Sequence, residues 1–261
     1  MLEFLDELVE KAGRLTLGYY HMGVEVETKS DMTPVTIADR ETEKFLRSEI
    51  MRRFPDDNVI GEEYGEVKFS TAKRTWILDP IDGTKSFVAG VPLYGTLIGV
   101  EENGEIIAGA VGLPALGENV VAERDKGCWL NGAQCHVNTK SKLSESILLT
   151  TDIVDIEKYG RKPAWDVLLE RVKFARTWGD CYGHILVATG RAEIMFDPVM
   201  AIWDSAPFPI ILQEAGGRCY DFKGGNSIRE NGIISVNQKL SDEVMQIVRE
   251  KLGENGAVFN E

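Results

Sequence analysis

A chain of 261 residues, 43% hydrophobic and 27% charged, has the composition of a globular protein and is long enough for one large core or two intimately packed halves. Its formal charge of −13 excludes a nucleic-acid binder, because nothing would draw in a polyphosphate backbone, and no apolar run approaches the ~20 residues of a membrane span. Cys128, Cys135, Cys181 and Cys219 show no CxxC spacing and read as reduced thiols, while the acidic start Met1–Glu7 is unlike a secretory leader, so the expected location is cytoplasmic.

In chain order, Leu5, Leu8, Val9, Ala12 and Leu15 fall at helical spacing. A loop is expected from Lys29 to Pro34, then a second amphipathic helix with Phe45, Leu46, Ile50 and Phe54 on one face, stopped by Pro55. Val59–Gly61 and Trp76–Leu78 are short apolar runs of strand character that lead into Glu62-Glu63 and Asp79-Pro80. From Leu97 to Val121 the pattern is β, with a hairpin turn at Asn103-Gly104 and a further tight turn at Asn131-Gly132. After Ser141 strands and helices alternate: strand 146–151, helix 165–174, helix 183–189, strand 192–196, and helix 205–215 closed by Gly216-Gly217. The change of rhythm divides the chain into an α+β half, 1–137, and an α/β half, 138–261, with no linker between them.

With 42 acidic residues, acids alone mean little; their placement matters. Asp79 and Asp82 follow an apolar strand, at the sheet edge that borders most α/β sites. Pro80 fixes the backbone between them, Gly83 permits conformations closed to other residues, and the Ile81 carbonyl lies between the two carboxylates. Such hard oxygen ligands suit Mg²⁺, although D-x-x-D-G by itself is also an ordinary turn. Glu62 follows another apolar strand, Asp204 opens a helix, and Asp39 ends the stretch from Lys29.

Together these segments resemble the inositol monophosphatase family of metal-dependent phosphatases, over nearly the whole chain. The resemblance rests on D-x-T-P-V-T-x-A-D at 31–39, G-E-E at 61–63, D-P-I-D-G-T at 79–84, W-D at 203–204 and E-A-G-G at 214–217. It implies a layered αβαβα sandwich of the inositol monophosphatase/fructose bisphosphatase type, usually a homodimer. It also implies two or three Mg²⁺ ions, with Mn²⁺ as a substitute, held by Glu62, Asp79, Asp82, Asp204 and the Ile81 carbonyl. Most of these ligands fall in the 1–137 half, and Asp204 falls in the other. Thr84, supported by Asp39, would orient the attacking water, with Glu62 beside it in the catalytic set, and Ile81, Asp82, Gly83, Thr84 and Asp204 would surround the phosphate ester. No nucleophile motif involves His21, His136 or His184. The acidic balance then has a purpose: the acids hold cations, and the cations hold a phosphate.

The strings Lys85–Gly99 and R-T-W-G-D-C-Y-G at 176–183 resemble the histidinol-phosphate phosphatase branch. Asp180 stands where inositol-type members are small and neutral, and a cationic amino alcohol needs such a carboxylate. Gly179, Asp197 and Arg176 complete the expected substrate contacts. The expected substrate is therefore a small phosphate ester, foremost histidinol phosphate, with no membrane or nucleic-acid partner. An inositol or sugar monophosphatase, and a non-catalytic relative that binds ligands or partners, are the alternatives. That every metal and water-orienting position carries a residue type able to do the chemistry weighs against the last.

Overall fold

Helix α1 (Leu2–Tyr19) buries Leu5, Leu8, Val9 and Ala12 along one stripe, while Glu7–Lys11 and Glu10–Arg14 pair at i,i+4 on the exposed side. The computed structural model describes residues 1–23, 26–28 and 34–253; of the loop expected from Lys29 to Pro34, residues 29–33 with Asp31 lie outside the described residues and Pro34 opens a strand. Strands β1 (Val26–Thr28) and β2 (Pro34–Thr36) pair antiparallel ahead of α2 (Ile37–Arg53), whose N-cap Thr36 accepts the Ala38 amide.

Next come β3 (Asn58–Gly61), β4 (Gly65–Val67), β5 (Arg74–Asp82), the short helix α3 (Thr84–Val88), β6 (Gly95–Glu102), β7 (Glu105–Leu113), β8 (Glu118–Glu123), β9 (Cys128–Leu130) and β10 (Ala133–Gln134). The eight strands β3 to β10 form one sheet in the order β10-β9-β8-β7-β6-β5-β3-β4, antiparallel except for β3 and β5. Beyond them the chain runs β11 (Ile147–Leu149), α4 (Ile153–Lys158), α5 (Lys162–Arg171), β12 (Phe174–Arg176), α6 (Asp180–Ala188) and β13 (Ile194–Asp197). It closes with α7 (Ile202–Ser205), α8 (Phe208–Glu214), β14 (Gly217–Asp221), β15 (Ile233–Asn237) and α9 (Ser241–Leu252). Five strands from this stretch make a second sheet, ordered β12-β11-β13-β15-β14.

Three buried clusters stack these elements into αβαβα layers. Leu5, Leu8, Leu46 and Ile50 of α1 and α2 pack on Trp76, Ile98 and Val100 of the large sheet. Ile185 of α6 with Phe208 and Ile211 of α8 fill the space between Leu97 and Val111 on one side and Leu149 and Met195 on the other. Trp165 of α5 and Val244 and Val248 of α9 cover Ile194, Phe196 and Ile234 on the far face of the second sheet. The middle layer matters most for function, because its helices α6 and α7 carry Asp180 and Asp204. Among the described residues no helix is long and apolar enough to cross a membrane, and all four cysteines are free.

Several expected boundaries move. The helix expected over 165–174 spans Lys162–Arg171, and Phe174 opens strand β12, because the extended Val172 ends the helix and the Lys173 amide pairs with the Ser146 carbonyl. The helix expected over 205–215 divides into α7 and α8 at Pro207, which cannot donate the amide a continuous helix requires. The helix expected from Gly183 begins at Asp180. Strand 146–151 shortens to Ile147–Leu149, and strand 192–196 shifts to Ile194–Asp197.

Candidate active site

Strand β5 is buried from Trp76 through Ile81, and its pairing with β6 breaks between Asp79 and Asp82. Pro80 has no amide to give the ladder. Its carbonyl accepts the buried Thr96 hydroxyl at 2.8 Å, which fixes the irregularity in place. Asp79, 2% exposed, accepts the Ile81 amide at 3.0 Å, and the Ile81 side chain anchors the turn against Phe87 and Tyr94. Gly83 then takes φ 77°, and a Cβ there would stand 3.0 Å from Asp180 Oδ2 and 3.2 Å from the Leu93 carbonyl, so glycine is required twice over. Helix α3 starts immediately after, so its first-turn amides lack intrahelical acceptors.

Carboxylate oxygens of Asp79, Asp82 and Asp204 can all lie within 4.8 Å of one another. Asp204 comes from the first turn of α7, where its Oδ2 accepts the Ala201 amide at 2.9 Å. Glu62 joins from the turn after β3: its amide is bonded to the Leu78 carbonyl at 3.2 Å, and its carboxyl reaches Asp79. Burial, then Glu62, Asp82 and Asp204, push Asp79 well above the usual carboxylate range. Asp82 is pushed up likewise by burial and by Asp180 and Asp204, despite a 2.6 Å hydrogen bond from the Cys181 amide. Carboxylates that penalise one another this strongly, all hard oxygen donors, fit a divalent cation bound among them.

A pair that nothing in the sequence marks holds the Glu62 turn. Glu43 on α2, 0% exposed, accepts the Glu63 amide at 2.7 Å and the Tyr64 amide at 3.2 Å, and it pairs with Arg47 Nε at 2.7 Å. Arg47 in turn donates to the Gly65 carbonyl. An i,i+4 Glu–Arg pair on a helix normally signals a solvated face; here it is buried and clamps the loop that carries Glu62.

Asp39 is the third residue of α2, 1% exposed, and its Oδ2 accepts the Thr36 amide at 2.8 Å and the Thr36 hydroxyl at 2.6 Å. Burial raises it above its ordinary value, with the Thr36 hydrogen bonds opposing. Its Oδ1 is buried with no hydrogen-bond partner among the described residues, an acceptor suited to a water or a hydroxyl. Thr84 Oγ1 donates to the Ile81 carbonyl at 3.1 Å rather than to Asp39, so the expected Asp39–Thr84 contact is not made in this structure.

Asp180 borders the same site from α6. It holds φ 50°, an unusual backbone state for a residue with a side chain, and its Oδ2 accepts the Ser86 hydroxyl at 3.3 Å. Burial, followed by the charge of Asp197, pushes it up to about 6, while Ser86 and Lys85 pull the other way. A Cβ on Gly179 would come 2.3 Å from Thr151 Cα, so glycine is what lets the two strands' ends approach. Asp152, Asp155, Asp180 and Asp197 line one pocket together with Asp82 and Asp204. Asp152 and Asp155 go unmarked in the sequence because α4, which Asp152 caps and which carries Asp155, has too few residues for a periodic signal. Arg176, expected at the substrate, lies outside this lining: it is exposed at the edge strand β12, bonded to the Ala175 carbonyl at 2.7 Å and stacked over Phe174.

The sequence matches the model described as inositol monophosphatase family over residues 1–252. A histidinol-phosphatase of Chlorobaculum parvum is 42% identical over 245 residues, covering 92% of this chain and 93% of that protein. A fructose-1,6-bisphosphatase/inositol-1-monophosphatase of Thermotoga maritima is 34% identical, covering 98% of each. Among solved structures, the extragenic suppressor protein suhB from Bartonella henselae superposes with a TM-score of 0.87 at 27% identity, covering 95% of this chain and 98% of that one.

Proposed function

The chain belongs to the inositol monophosphatase family, and we propose that within it this protein is a histidinol-phosphate phosphatase of histidine biosynthesis. It is a phosphoric monoester hydrolase with the acidic cluster of a metal-dependent family. The substrate assignment rests on one observation: the pocket beside the metal-type carboxylates is walled by Asp152, Asp155, Asp180 and Asp197. A wall of four acids attracts an ammonium and repels an anionic leaving group, while a neutral polyol gains no charge-assisted contact there, and an amino alcohol carries that ammonium. The 42% identity to a protein named histidinol-phosphatase supports the same reading.

In this reading Glu62, Asp79, Asp82, Asp204 and the Ile81 carbonyl hold the cations. Mg²⁺ when bound lowers the pKa of a water ligand and neutralises phosphate oxygens. Thr84 orients the water, and Asp39, through its unpartnered Oδ1, accepts from it or from the Thr84 hydroxyl. Gly83 and Thr84, at the start of α3, offer amides to the phosphate, and Asp180 receives the substrate's ammonium group. Two or three Mg²⁺ ions, Mn²⁺ as a substitute and a homodimer belong to the same reading and come from the family resemblance; a cytoplasmic location is the expectation that accompanies it.

The test is Asp180→Asn. It should lower kcat/KM for histidinol phosphate about tenfold or more while costing inositol 1-phosphate far less, since a lost charge-assisted contact is worth about 1.5–3 kcal/mol. Equal losses on both substrates would remove Asp180 from recognition.

A further inference from the structure

We propose that His184 is a positioning residue for substrate recognition, acting through Asp197 and Thr151 on Asp180. The inference rests on the substrate reading above and adds a residue that touches neither substrate nor the metal-type carboxylates.

His184 is 0% exposed on α6, its ring stacked on Phe208 with centroids 4.2 Å apart. Both ring nitrogens are engaged: Nδ1 with Ser235 Oγ at 2.8 Å and Nε2 with Asp197 Oδ2 at 3.2 Å. Against a carboxylate oxygen, which accepts, Nε2 is the donor, and Nδ1 and the Ser235 hydroxyl share the other hydrogen bond. Asp197, 3% exposed, spends its other oxygen on the Thr151 amide at 3.1 Å. With one hydrogen bond on each oxygen, Asp197 ties these elements together while it also lines the pocket. Thr151 continues the chain, its Oγ1 accepting the Asp180 amide at 2.8 Å.

That amide belongs to the residue held at φ 50°. A non-glycine residue in this region costs about 1–3 kcal/mol and persists where its surroundings over-determine it. Here the surroundings are the hydrogen-bonded series Ser235, His184, Asp197, Thr151 and the Asp180 amide, which begins in the second sheet and ends at the pocket. The next amide, that of Cys181, donates to Asp82 Oδ2 at 2.6 Å, so the same turn ties the recognition acid to a metal-type carboxylate. The neighbours Ile185, Leu186 and Val187 are buried apolar residues, and an apolar residue at 184 would fill the same space but leave the buried Ser235 Oγ and Asp197 Oδ2 without this partner. A fully bonded histidine instead fixes one arrangement of β13, β15 and the α6 turn.

The experiment measures kcat/KM for histidinol phosphate relative to inositol 1-phosphate, with Mg²⁺, in four proteins: wild type, His184→Phe, Asp180→Asn and the double variant. His184→Phe keeps the stacking and deletes both hydrogen bonds; it should lower the ratio about tenfold, the range seen when a partner orienting a functional group is lost. In the Asp180→Asn background the same change should move the ratio less than about twofold, because the two act on one group. His184→Gln, which can still donate to Asp197, should recover much of the ratio. If His184→Phe does not fold, Thr151→Val deletes the acceptor for the Asp180 amide and should reproduce the shift. Proportional losses on both substrates, or full additivity in the double variant, overturn the inference. A ratio unaffected by Asp180→Asn itself would instead overturn the substrate reading on which it rests.

Discussion

Replacing Glu43 by glutamine separates the clamp on the Glu62 turn from the turn itself. The amide keeps the shape of Glu43 but only one acceptor oxygen, whereas the Glu63 and Tyr64 amides bond different ones, and it removes the charge paired with Arg47. The Arg47 side chain is 11% exposed, so its guanidinium stays buried without a counter-charge. Breaking a buried pair in this way costs about 3–5 kcal/mol. For a chain of this size each kcal/mol lowers the melting temperature by about 2–4 °C, so a fall of about 10 °C is expected. The looser turn should also weaken metal binding about 10- to 100-fold, the usual effect of losing a residue that orients a ligand. Thermal unfolding with and without Mg²⁺, together with the Mg²⁺ concentration for half-maximal hydrolysis of p-nitrophenyl phosphate, reads both effects. A destabilised variant with unchanged half-activation would show that the pair secures α2 alone; no destabilisation would refute the argument for a buried charge.

Asp82→Asn removes one of three carboxylates whose oxygens can lie within 4.8 Å of one another, and Mg²⁺-dependent p-nitrophenyl phosphate hydrolysis should fall at least about 100-fold; unchanged activity would take Asp82 out of the mechanism. In chelated protein, Asp180 holds its proton up to about 6 against an ordinary 3.8, so its contribution to stability is complete below the lower value and lost as pH rises through the upper one. That contribution is worth about 3 kcal/mol, and relative to Asp180→Asn the chelated wild type should lose melting temperature between about pH 4 and about pH 7; a relative gain would contradict the sign. Gly179→Ala drives a Cβ to 2.3 Å from Thr151 Cα and should impair histidinol phosphate turnover well beyond any loss of stability, measured by kinetics beside a thermal melt; wild-type kinetics would show that the turn can move aside.

The parts of the site legible in the sequence are those where chemistry and local backbone share a short segment. Asp79 through Thr84 announces itself because proline, glycine and two acids follow an apolar strand, and the structure shows that segment leaving the β5–β6 ladder where Pro80 has no amide to give. Asp204 and Glu62 carry no such local mark, and only the order of motifs along the chain connects them to Asp79. Glu43 and Arg47 repeat the spacing of the exposed pair Glu7–Lys11, so burial alone distinguishes them and burial is not a local property. His184 meets partners 13 and 51 residues away, a coincidence that tertiary packing creates. Strand β12, with three residues, is too short for a period, and its register comes from pairing with β11. Arg176 is the opposite case: resemblance marks it as a substrate contact, while strand pairing sets it at an exposed sheet edge, a placement that no local pattern announces.

In the proposed function this phosphatase selects a cationic amino alcohol phosphate by a wall of carboxylates. The most direct measurement is kcat/KM for histidinol phosphate and for inositol 1-phosphate, under the same Mg²⁺ concentration and at neutral pH. A preference for histidinol phosphate of about 100-fold or more is expected, as two or more charge-assisted contacts would give. Equal values, or a preference for inositol 1-phosphate, would contradict it.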